Sequence, residues 1–120
     1  MNSYTFIEFP LFFTQWRELA LFDANLFLLQ NELLENPRKG AMIQGTGGIR
    51  KLRFALPNRG KSRSIRVCYI EFEEFSIIYL ITCYSKSEKD NLSVRERALL
   101  KDLVKELRNE AAKHFFRSKS

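Results

Sequence analysis

The segment between Glu35 and Glu71 holds nine basic side chains and no acidic one. The other 11 Lys and Arg residues are outnumbered by the 14 acids, so this basic segment supplies the whole net charge of +6. Such a one-sided concentration of charge is typical of a surface that contacts a polyanion such as nucleic acid. A merely solvated loop is the alternative, but the segment overlaps a strand pattern and contains more Arg than Lys.

The side chains that most often activate a nucleophile or hold a metal are scarce. His114 is the single histidine, Cys68 and Cys83 lie in apolar runs without CxxC spacing, and no Gly-x-Ser-x-Gly motif is present. We therefore expect no metal ion, no cofactor and two reduced, buried cysteines. An enzyme of this composition needs a substrate that brings its own nucleophile, as RNA does when a 2′-hydroxyl attacks the neighbouring phosphate. Lys and Arg on a rigid sheet can orient that phosphate and neutralise its charge, while Tyr can stack on a base.

Residues 55–62 read ALPNRGKS, which is close to a phosphate-binding GxxxxGK[ST] loop. That loop has to open a helix whose N-terminus binds phosphate. The run that follows, from Ser64 to Ile70, is rich in β-branched residues and predicts a strand instead. We therefore reject nucleotide hydrolysis as the function.

Hydrophobic periodicity predicts an α+β fold with the element order β-α-α-β-β-β-α. Three consecutive strands with short connections favour an antiparallel meander, and the most apolar strand is expected inside the sheet. The helices are expected to cover one face of the sheet, because one face must be buried. The predicted strands are 3–9, 49–56, 65–72 and 75–84, and the predicted helices are 14–21, 23–36 (capped by Asp23) and 93–113 (with a Ser93–Glu96 capping box).

A chain of 120 residues has the usual size of one domain, so we expect a single domain over 1–120 with a mobile tail at 114–120. Phe115 and Phe116 form an apolar pair that either docks on the core or meets a partner. The most apolar stretch is only about half of the ~20 residues that span a bilayer, and no basic segment precedes the apolar N-terminus. We expect a cytoplasmic protein without a signal peptide or membrane contact.

Alternation along the strand 49–56 places Lys51 and Arg53 on its outward side and Arg50 on the opposite side. Arg66, in the next strand, joins the outward set if the register between the two strands allows it. The first two strands of the meander therefore predict a basic surface on a rigid platform.

Residues 45–53 read GTGGIRKLR, and further motifs follow in a recognisable order. These are NPRKG at 36–40, RVCY at 66–69, YLITCYSK at 79–86 and DNL at 90–92. As a set, they make residues 23–110 resemble the RelE/HigB-type toxins of bacterial type II toxin–antitoxin modules, and the HigB-like branch in particular.

This resemblance implies a compact RelE-like domain that acts as an mRNA interferase. Such an enzyme is a ribosome-dependent endoribonuclease that cleaves mRNA by 2′-hydroxyl attack and so inhibits translation. The implied partners are mRNA, the ribosome with its rRNA, and a cognate antitoxin of the HigA-like, helix-turn-helix kind, through which operator DNA is contacted. A non-catalytic, basic nucleic-acid-binding module of the same fold is the alternative.

Carried over by position, the resemblance implies catalytic roles for four cations and one aromatic residue, which are Lys51, Arg53, Arg66, Tyr84 and Lys86. Among them, Arg66 matches the third-strand Arg that grips the reacting phosphate, and the division into general acid and general base stays open. We assign RNA binding to four further cations of the basic segment, which are Arg50, Arg59, Lys61 and Arg63. For Arg50, an Arg at a strand end without an RNA contact is the alternative.

Overall fold

The computed structural model describes residues 3–56, 64–85 and 92–119, and they form five strands and three α-helices. A single 3₁₀ turn, Glu73–Phe75, separates two of the strands. The strands are β1 (Thr5–Glu8), β2 (Ala41–Met42), β3 (Arg50–Ala55), β4 (Ser64–Phe72) and β5 (Ile77–Ser85), and the helices are α1 (Pro10–Glu18), α2 (Asp23–Glu35) and α3 (Val94–Lys119).

The strands build one sheet in the order β1-β5-β4-β3-β2. Strands β3, β4 and β5 pair antiparallel in sequence, which confirms the predicted meander, and β1 pairs parallel to β5. The apolar β5 has a neighbour on each side, as predicted. The two-residue β2 is an addition to the predicted element order.

Helices cover both faces of the sheet, so the prediction that they cover one face is wrong. Helices α1 and α2 supply Phe12, Trp16, Leu29 and others to a core cluster with alternate residues of β3, β4 and β5. Helix α3 packs on the opposite face, which we call the α3 face, through Val104, Leu107 and Ala111. The physical reason lies in β4 and β5, whose apolar side chains point to both faces and therefore need cover on both sides.

Helix boundaries also differ from the prediction, since α1 ends at Glu18 rather than Leu21 and larger differences occur at the start of α1 and the end of α3. Helix α1 begins at Pro10 rather than Thr14, because proline has no N–H to lose and its fixed φ suits the first helical turn. Helix α3 continues past Lys113 to Lys119, and the ring of Phe115 lies 5.8 Å from that of Phe75. The capping box at the start of α3 is confirmed by reciprocal hydrogen bonds between Ser93 and Glu96.

The two cysteines lie on opposite faces of the sheet. Cys83 belongs to the core under α1 and α2, whereas Cys68 packs against the α3 cluster. Neither cysteine forms a disulfide, as predicted; Cys83 is buried, but Cys68 is only half-buried, so the prediction that both are buried is wrong for Cys68. Among the described residues, no helix is both long enough and apolar enough to cross a membrane.

Candidate functional site

Two cross-strand rows of side chains lie on the α3 face, toward the end of β3 and the start of β4. In one row, Arg53 pairs with Arg66, which in turn pairs with Tyr84. In the neighbouring row, Lys51 pairs with Cys68, which pairs with Thr82. Residues in such a row lie on the same face of the sheet with adjacent Cβ atoms. The structure thus brings together four of the five residues predicted to be catalytic, and we call these two rows the cation platform.

A register shift in β5 places Tyr84 on this platform. Cys68 pairs with Thr82 but Tyr69 pairs with Leu80, so Ile81 has no partner in β4. One extra residue inverts the alternation of the strand beyond it. Tyr84 therefore faces the same side as Arg66 instead of entering the core under α1 and α2.

Ser64 holds the two guanidinium groups of the platform. Its Oγ accepts hydrogen bonds from Arg53 Nε at 3.2 Å and from Arg66 Nη1 at 3.3 Å. The Ser64 side chain is buried, so this acceptor has a fixed position between two like charges. Since like charges on paired strands repel, this shared acceptor offsets part of the repulsion between the two groups.

Among the described residues, no carboxylate forms a salt bridge with Arg53 or Arg66. Three other cations do form salt bridges, since Arg38 contacts Glu71 and Glu73, Lys39 contacts Glu32, and Arg108 contacts Glu74. Within the described ranges, the two guanidinium groups thus face no carboxylate that would compete with an external anion. Arginine binds phosphate through a planar fork of donors, so the platform is chemically suited to a phosphodiester.

The Gly-rich segment before β3 fixes where Lys51 and Arg53 lie. Gly45, Gly47 and Gly48 have φ angles of +80°, +82° and +130°, which disfavour any residue with a side chain. The buried Thr46 closes the turn, because its Oγ1 donates to Ile43 O at 2.8 Å and accepts from Ile49 N at 3.1 Å. This segment therefore acts as a rigid entry into β3.

Arg50 lies apart from the platform. Its Nη1 donates to the backbone oxygens of Gly40 at 2.8 Å and Arg38 at 3.2 Å, in the connection between α2 and β2. The buried Tyr69 hydroxyl supports the same connection by donating to Pro37 O and accepting from Gly40 N. The structure thus gives Arg50 a structural role, and its assignment to RNA binding stays a prediction.

Four other predicted site residues, which are Lys86, Arg59, Lys61 and Arg63, lie outside the described residues. Within the described ranges, no group of His, Cys, Asp and Glu side chains is arranged to hold a metal ion.

Sequence reasoning missed Ser64 and Arg97. Ser64 stands two residues before Arg66 on the same side of β4, so alternation was a usable signal for it. Arg97 comes from the first turn of α3 and approaches the Gly-rich segment, where its Cδ would lie 3.6 Å from a Cβ added to Gly45. No sequence pattern near Arg97 indicates that contact, because it depends on α3 packing against this face.

Comparison with protein families gives a match that covers most of the chain. The family model described as the RelE toxin of the RelE/RelB toxin–antitoxin system matches residues 12–118. The match includes the whole cation platform, the Gly-rich segment and nearly all of α3.

Proposed function

The chain belongs to the RelE toxin family, and we propose that it is an endoribonuclease that cleaves mRNA on the ribosome without a metal ion. Family membership implies the role of a toxin with a cognate antitoxin. The proposal adds the reaction and assigns it to the cation platform. The HigB-like branch and a HigA-like antitoxin remain part of the proposal.

The observation that carries this proposal is the Arg53–Arg66 pair on Ser64, without a salt-bridged carboxylate among the described residues. Two preorganised guanidinium groups can bind the oxygens of one phosphodiester and stabilise the extra negative charge of the transition state. Because the groups are held before the substrate arrives, little reorganisation is needed during the reaction.

The reaction follows from the substrate's own nucleophile. The 2′-hydroxyl oxygen attacks the adjacent phosphorus, and the bond from phosphorus to the 5′-oxygen of the next nucleotide breaks. One protein group takes the 2′-hydroxyl proton, and another donates a proton to the leaving oxygen. Lys51 and Tyr84, which flank the guanidinium pair, are the described candidates for these steps, and Lys86 is a further candidate. The products end in a 2′,3′-cyclic phosphate and a 5′-hydroxyl.

The antitoxin is proposed to cover or distort the platform with acidic side chains. A surface with this charge attracts an anionic protein segment for the same reason that it attracts RNA. Binding should therefore weaken as salt concentration rises. A complex in which Lys51, Arg53 and Arg66 stay uncovered and undisturbed would contradict direct masking.

Cleavage by purified protein on ribosomes programmed with a defined mRNA tests the proposal. We expect Arg66→Ala to reduce the cleavage rate about 10²–10³-fold, the usual effect of removing one preorganised transition-state contact. Arg17→Ala is the matched control, because Arg17 is exposed on α1, which packs on the opposite face of the sheet from the platform. Circular dichroism checks that both variants fold.

A single 2′-O-methyl group at the cleavage site tests the mechanism. It should abolish cutting there, and a chelator should have no effect beyond its effect on ribosomes. Normal cutting of the modified message would contradict the mechanism. If the wild type binds programmed ribosomes without cutting any message, the non-catalytic alternative is favoured.

A further inference from the structure

A cavity of about 480 Å³ lies between the cation platform and the first turns of α3. The row Lys51–Cys68–Thr82 contributes to its lining from the sheet, and Leu100 contributes from α3. Most of the lining is apolar, and no acidic side chain lines it among the described residues. Cavities of this size with apolar walls and a few polar groups are typical sites for small ligands.

The cavity begins one row along the sheet from the guanidinium pair. Lys51 and Arg53 are two residues apart in β3, which corresponds to about 6.6 Å along the strand. This is the scale of a single nucleotide step. Tyr84 borders both the cavity and the phosphate-binding row, so the two sites are continuous.

A polar atom in the cavity region lacks a partner. Arg97 lines the cavity, and its Nε is buried without a hydrogen-bond partner among the described residues. Buried donors are almost always satisfied, so an orphaned donor beside a cavity points to an acceptor that arrives with a ligand. Gln44 and Thr82 also line the cavity and can bond to the edge of such a ligand.

We propose that this cavity binds the base of the nucleotide next to the phosphate held by Arg53 and Arg66. A nucleobase has apolar faces for the walls and ring nitrogen or carbonyl acceptors for Arg97. The flanking cations favour an anionic ligand and the apolar walls favour one with a ring, so an RNA nucleotide fits better than a peptide side chain without a ring. Purines bury more area than pyrimidines and bind more tightly. This inference rests on the proposed function, because it takes the phosphate row as the site of cleavage.

Binding of a single nucleotide can be measured without ribosomes. The full-length chain with labelled isoleucine methyl groups is titrated with adenosine 3′-monophosphate, and ribose 5-phosphate serves as the probe without a base. We expect the nucleotide to shift the methyl signals of Ile43, Ile49 and Ile81, which line the cavity. Ile65 and Ile78 belong to the opposite core cluster and serve as internal controls. Ribose 5-phosphate should leave all of these signals unchanged.

Filling the cavity provides the matched pair of variants. Leu100→Trp places a large ring toward it, whereas Leu99→Trp makes the same change at a neighbouring α3 position that is 61% exposed. We expect Leu100→Trp to weaken nucleotide binding at least tenfold and Leu99→Trp to leave it unchanged. Arg97→Met keeps an unbranched, apolar stem and removes the guanidinium, so it supplies a second test should Leu100→Trp fail to fold.

The outcomes separate this inference from the proposed function. On ribosomes, Arg97→Met should still cut mRNA, but its cleavage rate should depend less on the base beside the cut than the rate of the wild type does. Arg66→Ala should cut all sequences slowly. Cleavage by the wild type together with no base-dependent methyl shift would overturn the base site alone. Base-dependent shifts without any cleavage would overturn the proposed function and leave the base site standing. Equal shifts with both probes would show a phosphate site only and overturn the inference.

Discussion

Replacing Ser64 by Ala removes the one acceptor that Arg53 and Arg66 share. The two hydrogen bonds to Ser64 Oγ are 3.2 and 3.3 Å long, and the residue is buried. Without that oxygen, the guanidinium groups are free to separate by their mutual repulsion. Both remain in reach of water, so we expect the loss to affect their geometry much more than the free energy of unfolding.

The expected size follows from the number of bonds lost. A hydrogen bond contributes about 0.5–1.5 kcal/mol to holding a group in place, and each 1.4 kcal/mol changes a rate about tenfold. Losing both bonds to Ser64 should therefore lower kcat roughly 10- to 100-fold. The KM should change little, because both charges remain available for the RNA backbone. Urea unfolding should show a change in stability of at most about 1 kcal/mol.

The assay is single-turnover cleavage on programmed ribosomes, with Ser64→Thr as the conservative variant. Threonine keeps the hydroxyl and suits a strand, so it should recover most of the rate. Ser118→Ala, an exposed position near the end of α3, controls for the loss of a hydroxyl elsewhere. Cleavage by Ser64→Ala at the wild-type rate would refute the positioning role. Equal defects in the Ala and Thr variants would show that the packing at this position matters and the hydroxyl does not.

Three further changes test the framework of the site by urea unfolding. Thr46→Val should destabilise the protein by about 1–3 kcal/mol, because it leaves the buried N–H of Ile49 without its acceptor; an unchanged midpoint would contradict this. Gly40→Ala should cost about 1–3 kcal/mol, since the added Cβ would lie 2.9 Å from Tyr69 Cε1, and full stability would show that the ring can move. Burial raises the pKa of Tyr79 from 10.0 to about 12, so the folded protein keeps a proton that the unfolded chain loses. Its contribution to stability is therefore complete below pH 10 and is lost as the pH rises through 12. In Tyr79→Phe, the free energy of unfolding should fall less between pH 10 and pH 12 than in the wild type. The stability at pH 7 should not fall, because the hydroxyl has no hydrogen-bond partner among the described residues. An equal fall in the wild type and the variant would argue against the raised pKa.

The platform residues of β3 and β4 were predictable because strand alternation is geometric. Once residues 50–55 and 64–72 are strands, Lys51 and Arg53 must lie on one face of the sheet. The register between the two strands then decides whether Arg66 lies on that face or on the other. The observed pairing of Arg53 with Arg66 confirms the shared face. The basic surface could therefore be predicted from the alternation of side chains along each strand.

The position of α3 was not predicted, although its signal was present. Long apolar runs in β4 and β5 indicate burial on both faces, but only the run of β5 entered the prediction, and only to place that strand inside the sheet. The contact between Arg97 and the cavity beside the platform depends on this packing, which is a long-range property. Local patterns do not report which face of a sheet a distant helix will cover.

The bulge at Ile81 shows how a local irregularity determines the composition of the site. With regular alternation in β5, Tyr84 would lie on the same face as Ile78 and Leu80, which belong to the core under α1 and α2. The unpaired Ile81 turns both Thr82 and Tyr84 toward the platform. This one-residue bulge therefore places the aromatic ring of Tyr84 in the phosphate row and the hydroxyl of Thr82 at the cavity. No Gly or Pro marks this position in the sequence. The bulge is therefore better explained by burial than by backbone preference, because Ile81 itself is 7% exposed in the core beneath α3.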